Sequence, residues 1–196
     1  MTAQRFPIRI SASGRPLVSI DDFAIAPESV TFLFGESGIG KSLLSRALYG
    51  LLDPEELAVE MNGRPYRHHL ASKWTREIQK NSFFVFQEPS SHLNPLVKLN
   101  SQLNEGSLRD CTQGDAILSY LWNGADRASI EPVLDIYPKP YRPSGGEKQR
   151  VLLAMAFKKL EMLRVAGKRV PTFFVFDEPT GSLDNSYRNI FLKLLF

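Results

Sequence analysis

Gly35-Glu36-Ser37-Gly38-Ile39-Gly40-Lys41-Ser42 fills every fixed position of G-x-x-x-x-G-K-[ST], the pattern of a phosphate-binding loop. The preceding Val30–Phe34 (VTFLF) is β-branched and aromatic and predicts a buried strand. The following Leu43–Gly50 is apolar at helical spacing, ends in glycine and predicts a helix. Strand, loop and helix therefore come in the order such a loop requires. The glycines let backbone N–H groups close around phosphate oxygens, and the helix N-terminus turns a favourable dipole end to the same anion. On this reading Gly35 to Ser42 hold the phosphates of a nucleotide, Lys41 neutralises the β- and γ-phosphates, and the Ser42 hydroxyl ligands Mg²⁺.

Downstream, Pro171–Pro179 (PTFFVFDEP) is an apolar run of strand character that ends in two carboxylates. A strand delivering an aspartate to its C-terminal end is how phosphate-loop folds hold the metal. Asp177 is expected to reach Mg²⁺ directly or through water. Glu178, one residue on, points elsewhere and is expected to polarise a water towards the γ-phosphate. Alone, the segment is also consistent with a strand and an Asp-Glu-Pro turn; behind a phosphate loop the nucleotide reading is the stronger one.

Between these motifs lies Ser144–Arg150 (SGGEKQR), a glycine-rich start to the amphipathic helix expected over Glu147–Leu163. With Phe86–Pro89 (FQEP) and Gly181–Asp184 (GSLD) the chain carries five motifs in sequence order, and in that order it resembles the ATP-binding cassette family over about residues 6–196. Phe86–Pro95 (FQEPSSHLNP) looks most like the ATPase subunits of peptide and nickel importers. The resemblance implies an α/β fold: a phosphate-loop NTPase core with a parallel-rich sheet, a small antiparallel β subdomain and an inserted helical subdomain at about 88–143. It implies that Gln87 senses the γ-phosphate through Mg²⁺ and the attacking water. Ser144, Gly145 and Gly146 would bind the γ-phosphate of ATP held by an opposite protomer, so a complete site needs two chains, alike or different. Asp184 would lie at the dimer seam. ATP and Mg²⁺ are the implied cofactors and membrane permease subunits the implied partners, with the chain on the inner face of the membrane.

Composition agrees. The 196 residues are 43% hydrophobic, enough for one sizeable core and one domain. No run approaches the ~18–20 apolar residues of a membrane span, and the first residues lack an apolar signal core, which predicts a cytoplasmic protein. Cys111 is the only cysteine, so an intrachain disulfide framework is excluded. A net charge of +3 with scattered basic residues does not suggest nucleic-acid binding. Phe6–Ile10, Leu17–Ile20, Phe23–Ala26 and Leu57–Gly63 read as short strands of the antiparallel subdomain. Ser72–Lys80, Ala116–Trp122 and Ile130–Ile136 read as helices, Asn81–Phe86 as a buried strand, and His68-His69 as a solvated turn.

The chain also departs from the family pattern. Where members carry an adenine-stacking aromatic, it has Ser11–Gly14, so stacking is expected from Phe6 or Phe23. The 33 positions from Ser144 to Asp177 are more than transporter subunits usually have, and the extra basic stretch Lys158–Arg169 suggests an unusual partner surface. The family's switch histidine falls beyond Phe196, from which slow hydrolysis is expected. That ending keeps a second reading open, a non-transport cassette protein or a nucleotide-binding module with little turnover.

Overall fold

The structure, a computed structural model, describes residues 4–139, 142–167, 170–181 and 185–196. The chain divides into two units, Met1–Lys80 and Asn81–Phe196. Asp184, expected at a dimer seam, lies outside the described residues.

The first unit is built on a four-stranded antiparallel sheet in the order β2-β1-β3-β4. Strands β1 (Gln4–Ala12) and β2 (Arg15–Ile25) form a long hairpin. β1 alternates strictly: Phe6, Ile8 and Ile10 are buried while Arg5 and Arg9 face water. The sequence suggests two short strands where β2 is one. Asp21 and Asp22 fall at the register shift between the Phe6–Phe23 and Ile8–Ile20 pairs, and the strand runs on through it, with their carboxylates ion-paired to Arg9 and Arg5 of β1. β3 (Ala58–Met61) pairs with β1 and turns into β4 (Arg64–Pro65) through Asn62 and Gly63, at φ 56° and 68°. Both turn residues thus lie in the left-handed region that Asn-Gly hairpins favour.

On this sheet's unit lie α1 (Lys41–Tyr49), α2 (Tyr66–Leu70) and α3 (Lys73–Asn81). Leu44, Ala47 and Leu48 of α1 are buried, and the buried Tyr66 donates its hydroxyl to the Ala47 carbonyl at 2.9 Å. Gly50 closes α1 at φ 85°, where a Cβ would sit 2.7 Å from Thr75 Cγ2, so only glycine fits both the conformation and the space. His68 and His69 sit within α2 and not in a turn. His69 Nε2 lies 3.0 Å from the Leu48 carbonyl, its ring stacked on Tyr66, and burial lowers its pKa. Val30–Phe34, expected as a buried strand, pairs with no described strand. Val30, Phe32 and Phe34 are exposed, because the unit's four strands make their ladder without this segment.

The second unit is mostly helical: α4 (Leu99–Leu103), α5 (Gly114–Leu121), α6 (Arg127–Leu134), α7 (Gly145–Ala166) and α8 (Asn185–Leu195) surround a parallel pair, β5 (Phe84–Val85) and β6 (Val175–Phe176). Residues 151–157 of α7 are buried on every side, so this helix forms the centre of the unit against α4 and α5. Phe157, Phe176 and Phe191 meet here, the last two edge to face at 5.3 Å. Lys158 belongs to this interior and not to a basic outer face. It is 3% exposed and donates from Nζ to the Leu103 carbonyl at 3.0 Å and to Asn104 Oδ1 at 2.8 Å, capping the end of α4. Among the described residues no helix is long and apolar enough to cross a membrane.

Candidate functional site

In the first unit the phosphate loop leads directly into α1. Gly38 and Gly40 have φ of 82° and 101°, and at Gly40 a Cβ would stand 2.4 Å from Val18 Cγ2. The loop's last glycine is therefore required both by its backbone and by the β2 side chain beneath it. Gly40 precedes α1 without any side-chain cap, and its carbonyl accepts the first helical bond from Leu44 N–H at 2.9 Å. Lys41 Nζ donates to the carbonyls of Gly35 and Glu36, each at 2.8 Å. The loop thus wraps its own lysine and holds the ammonium among its peptide groups. Gly35, Glu36, Ser37, Gly38, Ile39 and Gly40 form the loop, and Lys41 and Ser42 open α1.

In the second unit the parallel pair places the other residues. Asp177 N–H donates to the Val85 carbonyl at 2.9 Å, extending the β5–β6 ladder by one bond. Gln87 and Glu178 emerge side by side at the ends of these strands, and Gln87 Nε2 donates to Glu178 Oε2 at 2.8 Å. Asp177 is buried, whereas Gln87 and Glu178 are exposed. Glu178 has φ of 45°. A left-handed backbone at a non-glycine residue costs about 1–2 kcal/mol and turns this carboxylate away from the path of Asp177. Neighbours in sequence thereby occupy different environments, one interior and one facing water.

The Ser144 region is a helix cap. Ser144 N–H and Oγ both donate to Glu147 Oε2 at 2.8 Å, and Glu147 N–H donates back to Ser144 Oγ at 3.3 Å, a complete capping box. Helix α7 therefore starts at Gly145, two residues before the sequence suggests, with Gly145 and Gly146 as its first turn. Glycines there leave the backbone of that turn bare of side chains.

Three residues of the same run escape a reading that stops at its glycines. Lys148 is buried and donates to the Lys139 carbonyl at 2.7 Å and to Ser90 Oγ at 3.3 Å, tying α7 to the segment after Gln87. Gln149 is 1% exposed, with neither amide atom hydrogen-bonded. The Arg150 guanidinium lies 4.8 Å from the Trp122 ring and 4.3 Å from that of Tyr187. The signal available was position: 148, 149 and 150 precede the apolar 151–157 on one continuous helix. The expectation that Phe6 stacks on adenine is corrected, because Phe6 is 5% exposed and packs against Trp74; Phe23 is half-buried.

Of the residues expected to ligand Mg²⁺, Ser42 belongs to the first unit and Gln87 and Asp177 to the second, and they offer a hydroxyl, an amide carbonyl and a carboxylate. All are hard oxygen ligands, which suits Mg²⁺. Gln87 spends its Nε2 on Glu178, and its Oε1 is the atom of the right chemistry for a cation.

A family model described as ABC transporter matches residues 18–181. A putative peptide import ATP-binding protein of Brucella melitensis is 32% identical over 187 residues, covering 90% of this chain and 53% of that protein. A di/tripeptide transport ATP-binding protein of Pseudomonas aeruginosa is 32% identical over 173 residues, covering 82% and 47%. The chain spans about half the length of these curated relatives. Among solved structures, a bacterial Atm1-family ABC exporter with ATP bound matches at TM-score 0.62 and 21% identity over 100% of this chain and 33% of that one. The ATP-binding subunit of an ABC transporter matches at TM-score 0.61 and 19% identity over 96% and 72%. These two likenesses bear on the α/β fold alone. With a family match from Val18 to Gly181 that takes in the phosphate loop, Gln87, the α7 cap and Asp177-Glu178, the chain belongs to the ABC transporter family.

Proposed function

We propose that the chain is the ATP-binding and ATP-hydrolysing subunit of an ABC transporter, energising peptide uptake through a membrane permease by ATP-driven dimerisation. The observation that carries this is the Gln87–Glu178 hydrogen bond at the ends of β5 and β6, beside the buried Asp177. It brings together a carboxylate able to take a proton from water and an amide able to orient it. The peptide assignment follows the names of the relatives in Brucella and Pseudomonas. Attachment to a permease would put the chain on the inner face of the membrane.

In this account the chain's residues divide the work. The loop from Gly35 to Ser42 binds the triphosphate, with Lys41 exchanging the Gly35 and Glu36 carbonyls for phosphate oxygens. Ser42, Gln87 and Asp177 would hold Mg²⁺, which when bound neutralises charge on the β- and γ-phosphates. Glu178 accepts the proton of the attacking water, positioned by Gln87. Ser144, Gly145 and Gly146 present the N-terminus of α7 to the γ-phosphate carried by a second protomer. The segment 88–143 is the helical arm that carries the nucleotide state to the permease, and the whole chain serves as one nucleotide-binding domain.

Size-exclusion chromatography of Glu178→Gln with ATP and Mg²⁺ tests the proposal. Loss of the base should trap an ATP-bound dimer. A monomer at every ATP concentration would contradict it.

A further inference from the structure

The first unit carries a second recess that the ATP reading does not use. It has a volume of about 520 Å³ and opens beside the start of β1, the β3–β4 turn and α2. That is the size of a small-ligand site. One wall is aromatic: Phe6 and Trp74 have ring centres 5.4 Å apart, and Trp74 and His69 5.5 Å, with Tyr66 stacked behind His69 at 5.6 Å. Trp74 is half-buried, so part of its ring faces the recess. The rim is basic, formed by Arg5, Arg64 and His68, and among the described residues no Asp or Glu lines it. Arg5 is partly spent on Asp22. Among the described residues the side chains of Arg64 and His68 have neither an ion pair nor a hydrogen bond, though a guanidinium and an imidazole both carry N–H donors.

The half-buried Trp74 ring, backed by the buried Phe6, offers stacking to a flat ring, and a guanidinium offers two parallel N–H groups to a phosphate or carboxylate. We propose that this recess binds a planar aromatic molecule bearing a phosphate or carboxylate, of nucleoside monophosphate size. The site is separate from the phosphate loop. None of its lining residues belongs to 35–42. Ser11–Gly14, the stretch that corresponds to the family's adenine-stacking aromatic, lies at the other end of the β1–β2 hairpin from Phe6, roughly 20 Å along an extended strand. The inference is independent of ATP turnover and stands or falls separately from it.

Isothermal titration of the full chain with AMP tests it, with adenosine and inorganic phosphate as separate arms. AMP should bind the unaltered chain and Lys41→Ala equally, within about twofold, and should bind Arg64→Glu at least about tenfold more weakly. Trp74→Leu should weaken adenosine and AMP alike. Because Trp74 packs on Phe6 and its loss can disturb the fold, the exposed Arg64 is the deciding variant. Adenosine and phosphate should each bind at least about tenfold more weakly than AMP. No heat from AMP at millimolar concentration would overturn the proposal. So would AMP binding that is lost in Lys41→Ala and kept in Arg64→Glu, or phosphate binding as tight as that of AMP.

Discussion

Gln87 and Glu178 are 91 residues apart in the chain and joined by one hydrogen bond, Nε2 to Oε2 at 2.8 Å. The register of two short parallel strands makes the meeting possible, with Phe84 opposite Val175 and Val85 opposite Phe176. The Asp177 N–H bond to Val85 continues that register to the point where both side chains leave the ladder. The contact holds the carboxylate in place at a residue whose own backbone is strained.

From this contact, Gln87→Ala is expected to lower kcat for ATP hydrolysis about tenfold to a hundredfold, while ATP affinity without Mg²⁺ stays unchanged. Glu178→Gln should lower kcat further, by about a hundredfold or more, because it removes the base itself. Steady-state rates with parallel binding titrations, with and without Mg²⁺, separate the two. Equal losses of kcat in both variants would argue that Gln87 does more than position.

Gly40 is where the loop tolerates least. Gly40→Ala places a Cβ against Val18 at a φ that L-residues rarely adopt, and should cost about 2 kcal/mol of stability together with phosphate affinity. Thermal unfolding checks this. Adding Val18→Ala relieves the clash and not the backbone strain, so it should restore only part of the loss.

Ser144 supports two separable expectations. Ser144→Ala removes the side chain from the capping box and should cost about 1 kcal/mol, read by chemical denaturation. Ser144→Arg should in addition block ATP-dependent dimerisation while leaving nucleotide binding by the monomer intact, read by size-exclusion chromatography.

Acid should destabilise the chain through two half-buried histidines. Burial lowers the folded pKa of His69 and His92 below the ordinary 6.5. The unfolded chain then takes up protons first as pH falls through 6.5. Stability is full above that value and is lost as pH drops towards the folded values. Melting temperatures at pH 7.5 and pH 5 should differ less in His69→Phe/His92→Phe, which keeps ring packing against Tyr66, Trp74, Phe83 and Phe86. An unchanged difference would place the acid sensitivity elsewhere.

Much of this was legible in the sequence where a local pattern carries its own geometry. The glycines of 35–42 fix a turn and a helix start, Asn62-Gly63 fixes a hairpin, and Ser144–Arg150 marks a glycine-rich helix start. Pairing across distance was not legible. Asp21 and Asp22 resemble a break until the strand is seen to run on through a bulge there, with Arg9 and Arg5 reaching the two carboxylates. Val30–Phe34 has strand composition, but composition supplies no neighbour to pair with. Lys158 looks like a solvated charge until the end of α4 supplies two acceptors for its ammonium. The burial of Gln149 and the Gln87–Glu178 contact likewise depend on which elements pack together, which periodicity does not specify.

The most direct test of the central claim is equilibrium binding of ATP with Mg²⁺ to the full chain and to Lys41→Ala. The account predicts binding to the unaltered chain and at least about tenfold weaker binding to the variant, because the ammonium that the loop now holds with its own carbonyls is the group that meets the phosphates. Equal affinity in the two, with the variant still folded, would contradict the assignment of 35–42 as the triphosphate site and the function built on it.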